Sequence, residues 1–236
     1  MCGKFTAMAS WAEVVAFSQP LTADVPGEND YAVTYRPYAM LPVIVWDEKS
    51  RERRIVRMRW GLPDPRNHKT LKHIHARAET IDTTRAFASL FAEGRRGIVV
   101  MQTFNETPPD SAGQWTIDPR DGRPRGFAFL CQGYEIENTG ETLMACCMVT
   151  VRANELLTST ILKTDPDPRM PAILLDQDWA TWLGENDAPL EQVKSVLCTM
   201  EGENWTIAPE PKPARPSRQA AGKAKKPRPP KAPTLF

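Results

Sequence analysis

Apolar, β-branched and aromatic residues recur in short runs along most of the chain. The runs VIVWD (43–47) and RIVRMRWGL (54–62) have the composition of strands. Three further runs predict strands at GIVVMQTF (97–104), RGFAFLCQGYEI (125–136) and TLMACCMVTV (142–151). The last two are separated by a turn with Asn-Thr-Gly (138–140), so we expect them to form a β-hairpin.

Three segments have apolar residues at helical spacing instead. TTRAFASLFAEG (83–94) starts with a Thr cap and closes with Gly, which predicts a helix. WATWL (179–183) and LEQVKSVLCTM (190–200) predict short helices near the end. Because the strands come in runs and do not alternate regularly with helices, the pattern favours an α+β fold over a doubly wound parallel sheet.

The apolar pattern stops before the C-terminus. The segment from Pro209 to Phe236 contains eight prolines, many Ala and Lys, and almost no core-forming residues. Such a segment buries too little surface to offset its ordering entropy, so we predict one folded domain at 1–206 and a disordered basic tail at 207–236. The tail either attracts phosphates or only solubilises the protein. Its Leu235-Phe236 end resembles sliding-clamp-binding peptides, which suggests a weak clamp contact.

Composition and charge narrow the classes of function. No apolar run has the length of a membrane helix, and the start lacks the pattern of a signal peptide, so we expect a cytoplasmic protein without membrane contact. The net charge of +1 divides into +7 from Pro209 onwards and −6 for the rest. An acidic body is not a general polyanion binder, so any nucleic-acid site on it must be a local patch.

The most reactive candidate in the chain is Cys2, directly after Met1. Removal of Met1 leaves an amine and a thiol on one residue, and this pair condenses with an aldehyde to a five-membered thiazolidine. The alternative is a small apolar residue in a first strand. The five cysteines lack CxxC or Cys/His metal spacing, so we expect free thiols and no metal site.

Five separated stretches resemble one protein family in order and spacing. They are MCGKF (1–5), MRWGLP (58–63), HARAET (75–80), the stretch from Arg95 to Glu106, and DPRMPAIL (167–174). Together they resemble the SOS-response-associated peptidase family, and the resemblance extends from Met1 to about Leu183. It is consistent with a single compact domain on a mostly antiparallel, curved, barrel-like sheet with short flanking helices.

The resemblance implies a function in the DNA damage response. Members of the family remove their own Met1, and the freed N-terminal Cys forms a thiazolidine crosslink with abasic sites in single-stranded DNA, which shields the lesion. On this chain the reactive residue is Cys2. We therefore expect an enzyme without cofactor or metal, acting as a monomer on single-stranded DNA that contains abasic sites.

The resemblance also implies a catalytic set of Cys2, Glu106, His75 and Asp167. Glu106 matches a family acid-base residue, although a surface carboxylate is the alternative. His75 stands where the family has Asn, and Asp167 stands where it has His. A carboxylate is a poor acid at neutral pH, so we expect the activity to be attenuated. An aromatic pair that walls the family site is also missing from the segment Thr103–Thr107.

Four residues are implied as DNA contacts: Lys4, Arg77, Trp60 and Arg169. Arg77 matches a family arginine beside the phosphates, and an ion pair with Glu79 or another carboxylate is its alternative. Trp60 either stacks on a base or packs in the core. Lys4 replaces the arginine that many members carry, which keeps the charge but loses a bidentate contact.

Two other functions compete with crosslinking. Class II glutamine amidotransferases also begin Met-Cys-Gly, but they usually continue with Ile and a glycine-rich strand where this chain has Lys4-Phe5. A non-catalytic binder of single-stranded DNA, with Cys2 idle, is the second alternative. The departures at His75, Asp167 and the segment Thr103–Thr107 leave that alternative open.

Overall fold

The computed structural model describes residues 3–7, 21–22, 33–64, 67–111, 113–119, 124–135 and 140–210. The strands within these ranges are β1 (Lys4–Ala7), β2 (Leu21–Thr22), β3 (Val33–Tyr35), β4 (Met40–Asp47), β5 (Glu52–Trp60), β6 (Leu62–Asp64), β7 (Asn67–His73), β8 (His75–Arg77), β9 (Arg96–Met101), β10 (Thr103–Glu106), β11 (Trp115–Asp118), β12 (Arg125–Glu135), β13 (Thr142–Arg152), β14 (Arg169–Pro171), β15 (Ile173–Leu174) and β16 (Thr206–Pro209). The helices are α1 (Ala88–Ala92), α2 (Glu155–Ser159), α3 (Trp179–Leu183) and α4 (Leu190–Ser195), with 3-10 turns at Ala78–Thr80 and Asp176–Asp178.

Five strands close into a barrel in the order β13, β12, β9, β4, β5 and back to β13. The contacts along this order are antiparallel. The closing contact between β5 and β13 is parallel and pairs Arg59 with Ala145 and Trp60 with Cys146. Closure removes the unpaired edges that an open sheet would present. The predicted α+β class and its mostly antiparallel, barrel-like sheet are confirmed.

The barrel strands carry most of the core. Every residue of β9 is buried, and β12 and β13 are buried over most of their length. Such continuous runs indicate strands that are covered on both faces. Cys131, Cys146 and Cys147 lie in these strands, and burial raises the pKa of each thiol. Thiols that stay protonated are weak nucleophiles, so these three serve packing.

A second sheet packs beside the barrel in the order β16, β11, β10, β1, β3, and all its pairs are antiparallel. Aromatic contacts connect it to the barrel. The rings of Phe5 and Trp60 lie 5.0 Å apart, and those of Phe104 and Phe127 lie 6.0 Å apart. The first strand of the chain therefore lies next to β10, whose last residue is Glu106.

The helices are shorter than the sequence predicts. Within the expected helix 83–94, only Ala88–Ala92 is α-helical, and its N-cap, Phe87, makes no side-chain cap bond. The Thr83 hydroxyl instead donates to the Thr80 carbonyl, because threonine competes for local backbone groups. Gly94, with φ of 71°, ends the segment as expected. The helix WATWL is confirmed, whereas the predicted helix 190–200 is helical only over Leu190–Ser195.

The predicted strands are confirmed with two interruptions. The run 54–62 breaks at Gly61, and the run 97–104 breaks at Gln102, so each contributes to two strands. The hairpin of β12 and β13 is confirmed by their antiparallel pairing, whereas residues 136–139 of its connection lie outside the described part.

The last described strand, β16, spans the predicted boundary between the domain and the tail. β16 crosses position 206/207, since Thr206, Ile207 and Ala208 pair with β11. Residues 211–236, with the Leu235-Phe236 end, lie outside the described part, so the tail and its clamp contact stay predictions. Among the described residues, no helix is long and apolar enough to cross a membrane.

Candidate active site

Glu106 is a fully buried carboxyl group at the end of β10. Burial raises its pKa to about 7, and the negative charge of Asp165 acts in the same direction. An ordinary glutamate is almost entirely ionised at neutral pH, whereas this one is divided between its two forms. The group therefore has the proton affinity that general acid-base catalysis requires near pH 7. The alternative of a surface carboxylate is wrong, because Glu106 has no exposed area.

Strand β1 lies beside β10, the strand that ends at Glu106. Lys4 pairs with Asn105 and Phe5 pairs with Phe104 in the antiparallel contact of β1 with β10. Continued by one residue, this register sets Gly3 beside Glu106. Cys2 itself lies outside the described residues, so its catalytic role stays a prediction.

His75 begins β8, which pairs with the barrel strand β13 at Met148. Its ring stands edge-on to Trp60, with 6.2 Å between centroids. Trp60 is fully buried, and its Nε1 donates to the Ile74 carbonyl at 2.9 Å. A buried indole has no free face for a nucleobase, so the prediction that Trp60 stacks on DNA is wrong. Trp60 packs in the core, which is the alternative that the sequence left open.

Arg77 and Asp167 form an ion pair at the surface. Their side chains are 59% and 38% exposed, respectively. The expected alternative for Arg77, an ion pair, is therefore present, but its partner is Asp167 and not Glu79. The structure thus brings Arg77 and Asp167 together. The guanidinium that the resemblance assigns to a phosphate contact is paired with the Asp167 carboxylate instead.

Arg169 is buried, with a side chain only 3% exposed. Its guanidinium donates to both carboxylate oxygens of Glu79, at 2.8 and 2.7 Å, and to the Thr150 carbonyl at 2.8 Å. These bonds hold β14 and the 3-10 turn against β13, and they lower the pKa of Glu79. The predicted DNA contact of Arg169 is not supported, because its guanidinium is buried and already donates to Glu79 and to the Thr150 carbonyl.

Lys4 is also buried and pairs with Glu210, which follows β16. The pair connects the first strand of the second sheet to the end of the described chain. A buried ammonium group is not presented to solvent, so the predicted phosphate contact of Lys4 is not supported. The Lys4 ammonium group instead forms an ion pair within the sheet that also contains Glu106.

The segment before β14 connects the ion pair to Glu106. The Asp167 amide donates to the Asp165 carboxylate at 3.0 Å, and the charge of Asp165 raises the pKa of Glu106. The sequence analysis missed Asp165, although the repeated Asp-Pro of TDPDPRMP was its signal. Glu106, Asp165, Asp167 and Arg77 thus form one acidic neighbourhood that contains an exposed guanidinium.

A cavity of about 540 Å³ lies next to this neighbourhood. Trp115, which pairs with Glu106, lines it together with Ile161, Lys163 and Asp110. Sequence reasoning missed this cavity because its walls come from distant segments. Within the described ranges, no group of three His, Cys, Asp or Glu residues is arranged to hold a metal ion.

Comparisons with known proteins identify the family of this chain. A family model described as SOS response associated peptidase (SRAP) matches residues 1–212. The Abasic site processing protein YobE of Bacillus subtilis (strain 168) is 27% identical over 218 residues, which cover 86% of this chain and 91% of that protein. The Abasic site processing protein YoqW of the same organism is 28% identical over 211 residues, which cover 84% and 86%.

Solved structures share the fold. A protein from Bordetella bronchiseptica superposes with a TM-score of 0.72 at 22% identity and covers 89% of this chain and 100% of its own. One from Bacteroides thetaiotaomicron has a TM-score of 0.73 at 19% identity, with coverage of 88% and 91%. Because the family model covers nearly the whole described chain, this protein belongs to the SOS response associated peptidase family.

Proposed function

We propose that this protein processes abasic sites in single-stranded DNA by forming a covalent thiazolidine crosslink through Cys2. The relatives named above are abasic site processing proteins, and they match most of this chain. The family also matches the part of the sequence that begins Met-Cys. Shared family membership removes the basis for the amidotransferase alternative, which rested on the same N-terminal residues.

The observation that carries the proposal is the buried Glu106 with its pKa near 7. The register of β1 and β10 leads the chain toward this carboxyl group, with Cys2 next to Gly3. Cys2 precedes Gly3 in the sequence, and we propose that its amine and thiol react with Glu106 as the proton-transfer partner. No other described carboxyl group combines full burial with a pKa raised to the neutral range.

The reaction requires proton transfers in both directions. The Cys2 amine adds to the aldehyde carbon of the ring-opened sugar, and loss of the hydroxyl as water gives an imine. The imine forms in its protonated state and keeps one N–H, and the thiol then adds to its carbon to form the C–S bond. Protonated Glu106 gives its proton to the leaving hydroxyl, and its carboxylate then takes the thiol proton. One water is released, and no cofactor is needed.

Arg77 is the exposed cation that we propose for phosphate contact. It is paired with Asp167, so a phosphate must replace that carboxylate. The competition lowers affinity and agrees with an attenuated activity. Monomeric action and removal of Met1 by the protein itself belong to the same proposal.

The test is a denaturing gel of purified protein with abasic single-stranded DNA. We expect a heat-resistant shifted band, absent with an undamaged strand, and an intact mass without Met1. Cys2→Ser abolishes the band, because a hydroxyl is a far weaker nucleophile than a thiolate. Cys198→Ser is the matched control, since Cys198 is an exposed thiol elsewhere on the molecule and should have no effect. A band of undiminished yield in Cys2→Ser contradicts the thiazolidine, and a salt-sensitive complex without any band favours the non-catalytic binder.

A further inference from the structure

An aromatic side chain stands exposed in the turn between β3 and β4. Tyr38 has half of its surface, 50%, open to solvent. Its backbone is in the left-handed region, with φ of 72°. Aromatic residues seldom adopt this conformation, and such backbone strain is concentrated at functional sites.

The turn is held by hydrogen bonds to β5. The Tyr38 amide donates to the Trp60 carbonyl at 2.8 Å, and Arg59 Nη1 donates to the Tyr38 carbonyl at 3.1 Å. The Trp60 amide in turn donates to the Ala39 carbonyl at 2.9 Å. The left-handed backbone is therefore fixed by the barrel, and the ring projects from a rigid support.

Gly61 lies against the Tyr38 ring. A β-carbon at position 61 would lie 3.3 and 3.4 Å from the Cδ1 and Cε1 atoms of Tyr38. The glycine also has a φ of 135°, which side chains rarely adopt. The Cδ1–Cε1 edge of the Tyr38 ring thus lies against bare backbone, while half of the residue remains exposed. We call Tyr38 with Gly61 the Tyr38 platform.

Exposed arginines lie close to Tyr38 along the chain and on the neighbouring strand β5. Arg36 precedes it by two residues and is exposed, and its carbonyl accepts from Ala39 within the same turn. Arg57 is exposed on β5, two residues before Arg59. An exposed aromatic ring among guanidinium groups is the combination that binds single-stranded nucleic acid without sequence preference.

The Tyr38 platform lies at the same end of the second sheet as Glu106. β1 and β3 are antiparallel, with Phe5 opposite Tyr35, so the chain before Phe5 runs beside the chain after Tyr35. The contact of β1 with β10 sets the same end of β1 beside Glu106. The Tyr38 platform and Glu106 therefore both lie near the beginning of β1.

We propose that the Tyr38 platform stacks a nucleobase of single-stranded DNA next to the abasic site. This inference rests on the proposed function and assigns it a binding subsite. An abasic nucleotide offers no base, so non-covalent grip on the strand must come from phosphates and neighbouring bases. Tyr38 supplies the base contact, and the arginines supply phosphate contacts.

The experiment compares Tyr38→Asn with Tyr38→Phe by fluorescence anisotropy on labelled oligo-dT. Asparagine tolerates the left-handed backbone while removing the ring, and phenylalanine keeps the ring. We expect Tyr38→Asn to weaken binding by about 5- to 100-fold and Tyr38→Phe to bind like the wild type. A strand of abasic spacers, which has phosphates without bases, should bind both variants and wild type equally. The salt slope should not change, because no phosphate contact is lost.

Each result decides the inference. Equal binding of oligo-dT by Tyr38→Asn and wild type overturns it. Equal losses on oligo-dT and the spacer strand also overturn it, because a stacking residue acts only on bases. A thermal melt of each variant shows beforehand that the fold is retained, so that equal losses count against stacking. If wild type fails to crosslink abasic DNA while the base-dependent loss persists, the proposed function is wrong and the platform stands.

Discussion

Glu106 combines two properties that usually oppose each other, full burial and a titratable group. The pKa of an ordinary glutamate, 4.5, rises to about 7 here because burial disfavours the charged form. Between pH 4.5 and about 7, Glu106 is therefore protonated in the folded protein and ionised in the unfolded chain. Such a group costs stability at neutral pH and supplies chemistry in return, which is a common pattern at reactive sites.

Glu106→Gln should stabilise the protein at alkaline pH and slow the crosslink. The folded-state pKa lies above the unfolded value, so the favourable contribution of protonated Glu106 is complete below pH 4.5 and is lost as pH rises through about 7. A shift of this size corresponds to on the order of 3 kcal/mol. Urea unfolding should show the variant more stable than wild type at about pH 8, with the difference vanishing near pH 4.5. A constant difference across this range contradicts the raised pKa.

The ion pair between Asp167 and Arg77 is expected to limit the binding of DNA. Asp167→Asn releases the exposed guanidinium and removes a negative charge, so non-covalent affinity for single-stranded DNA should rise about two- to fivefold at low salt. Asp167→His should bind DNA similarly but crosslink faster, because a positioned proton donor typically raises the reaction rate by about 10²–10⁴-fold. Binding isotherms and crosslinking time courses separate the two effects. If neither variant differs from wild type, Asp167 lies outside the mechanism.

Residue roles were only partly predictable from the sequence. The stretch that ends at Glu106 was found, but its burial depends on segments far along the chain. Trp60 and Arg169 stand in motifs that the sequence associated with DNA, yet both are used in packing. A side chain's partner is set by long-range contacts, and those of Arg169 with Glu79 span 90 positions.

At the scale of elements, a helix can approach the barrel closely where the barrel strand has a glycine. Trp179 at the start of α3 packs on β12 at Gly126. A β-carbon at position 126 would lie 2.5 Å from the indole ring. The helix therefore contacts the barrel through bare backbone at this point.

Gly126→Ala should destabilise the fold, because the backbone and a fully packed indole have to move apart. Overpacking of this kind costs about 1–3 kcal/mol. Gly113→Ala is the matched control, since the nearest atom to its β-carbon, Ser111 Oγ, is at an ordinary 3.6 Å. Chemical denaturation should show a clear loss for the first variant and a change within about 0.5 kcal/mol for the second. Equal stabilities would contradict the packing of α3 on β12.

The elements themselves were more predictable than their arrangement. Strong β patterns gave β12 and β13 to within one residue, because local composition determines them. The closing pair of β5 and β13 joins strands far apart in sequence, and no local pattern encodes it. The helix at 83–94 was overestimated because periodicity does not report the turn made by its threonines.

At the scale of the whole molecule, the distribution of charge opposes the proposed substrate. The chain carries +1, and the residues after Glu210 carry eight Lys or Arg without an acidic residue, so residues 1–210 carry −7. Asp165 and Asp167 add negative charge around the candidate site. Long-range attraction of DNA must therefore come mainly from the basic C-terminal segment.

Deleting residues 211–236 should weaken non-specific binding of single-stranded DNA and flatten its dependence on salt. Each lost phosphate contact lowers the slope of log K against log salt by about 0.7, and up to eight cations are removed. The fold should persist, because the deletion retains β16 and the Glu210 that pairs with Lys4. A full-length variant with the eight Lys and Arg changed to Gln separates charge from length, and it should behave like the deletion. An unchanged slope in both variants would assign the attraction to the body and leave the segment a solubilising role.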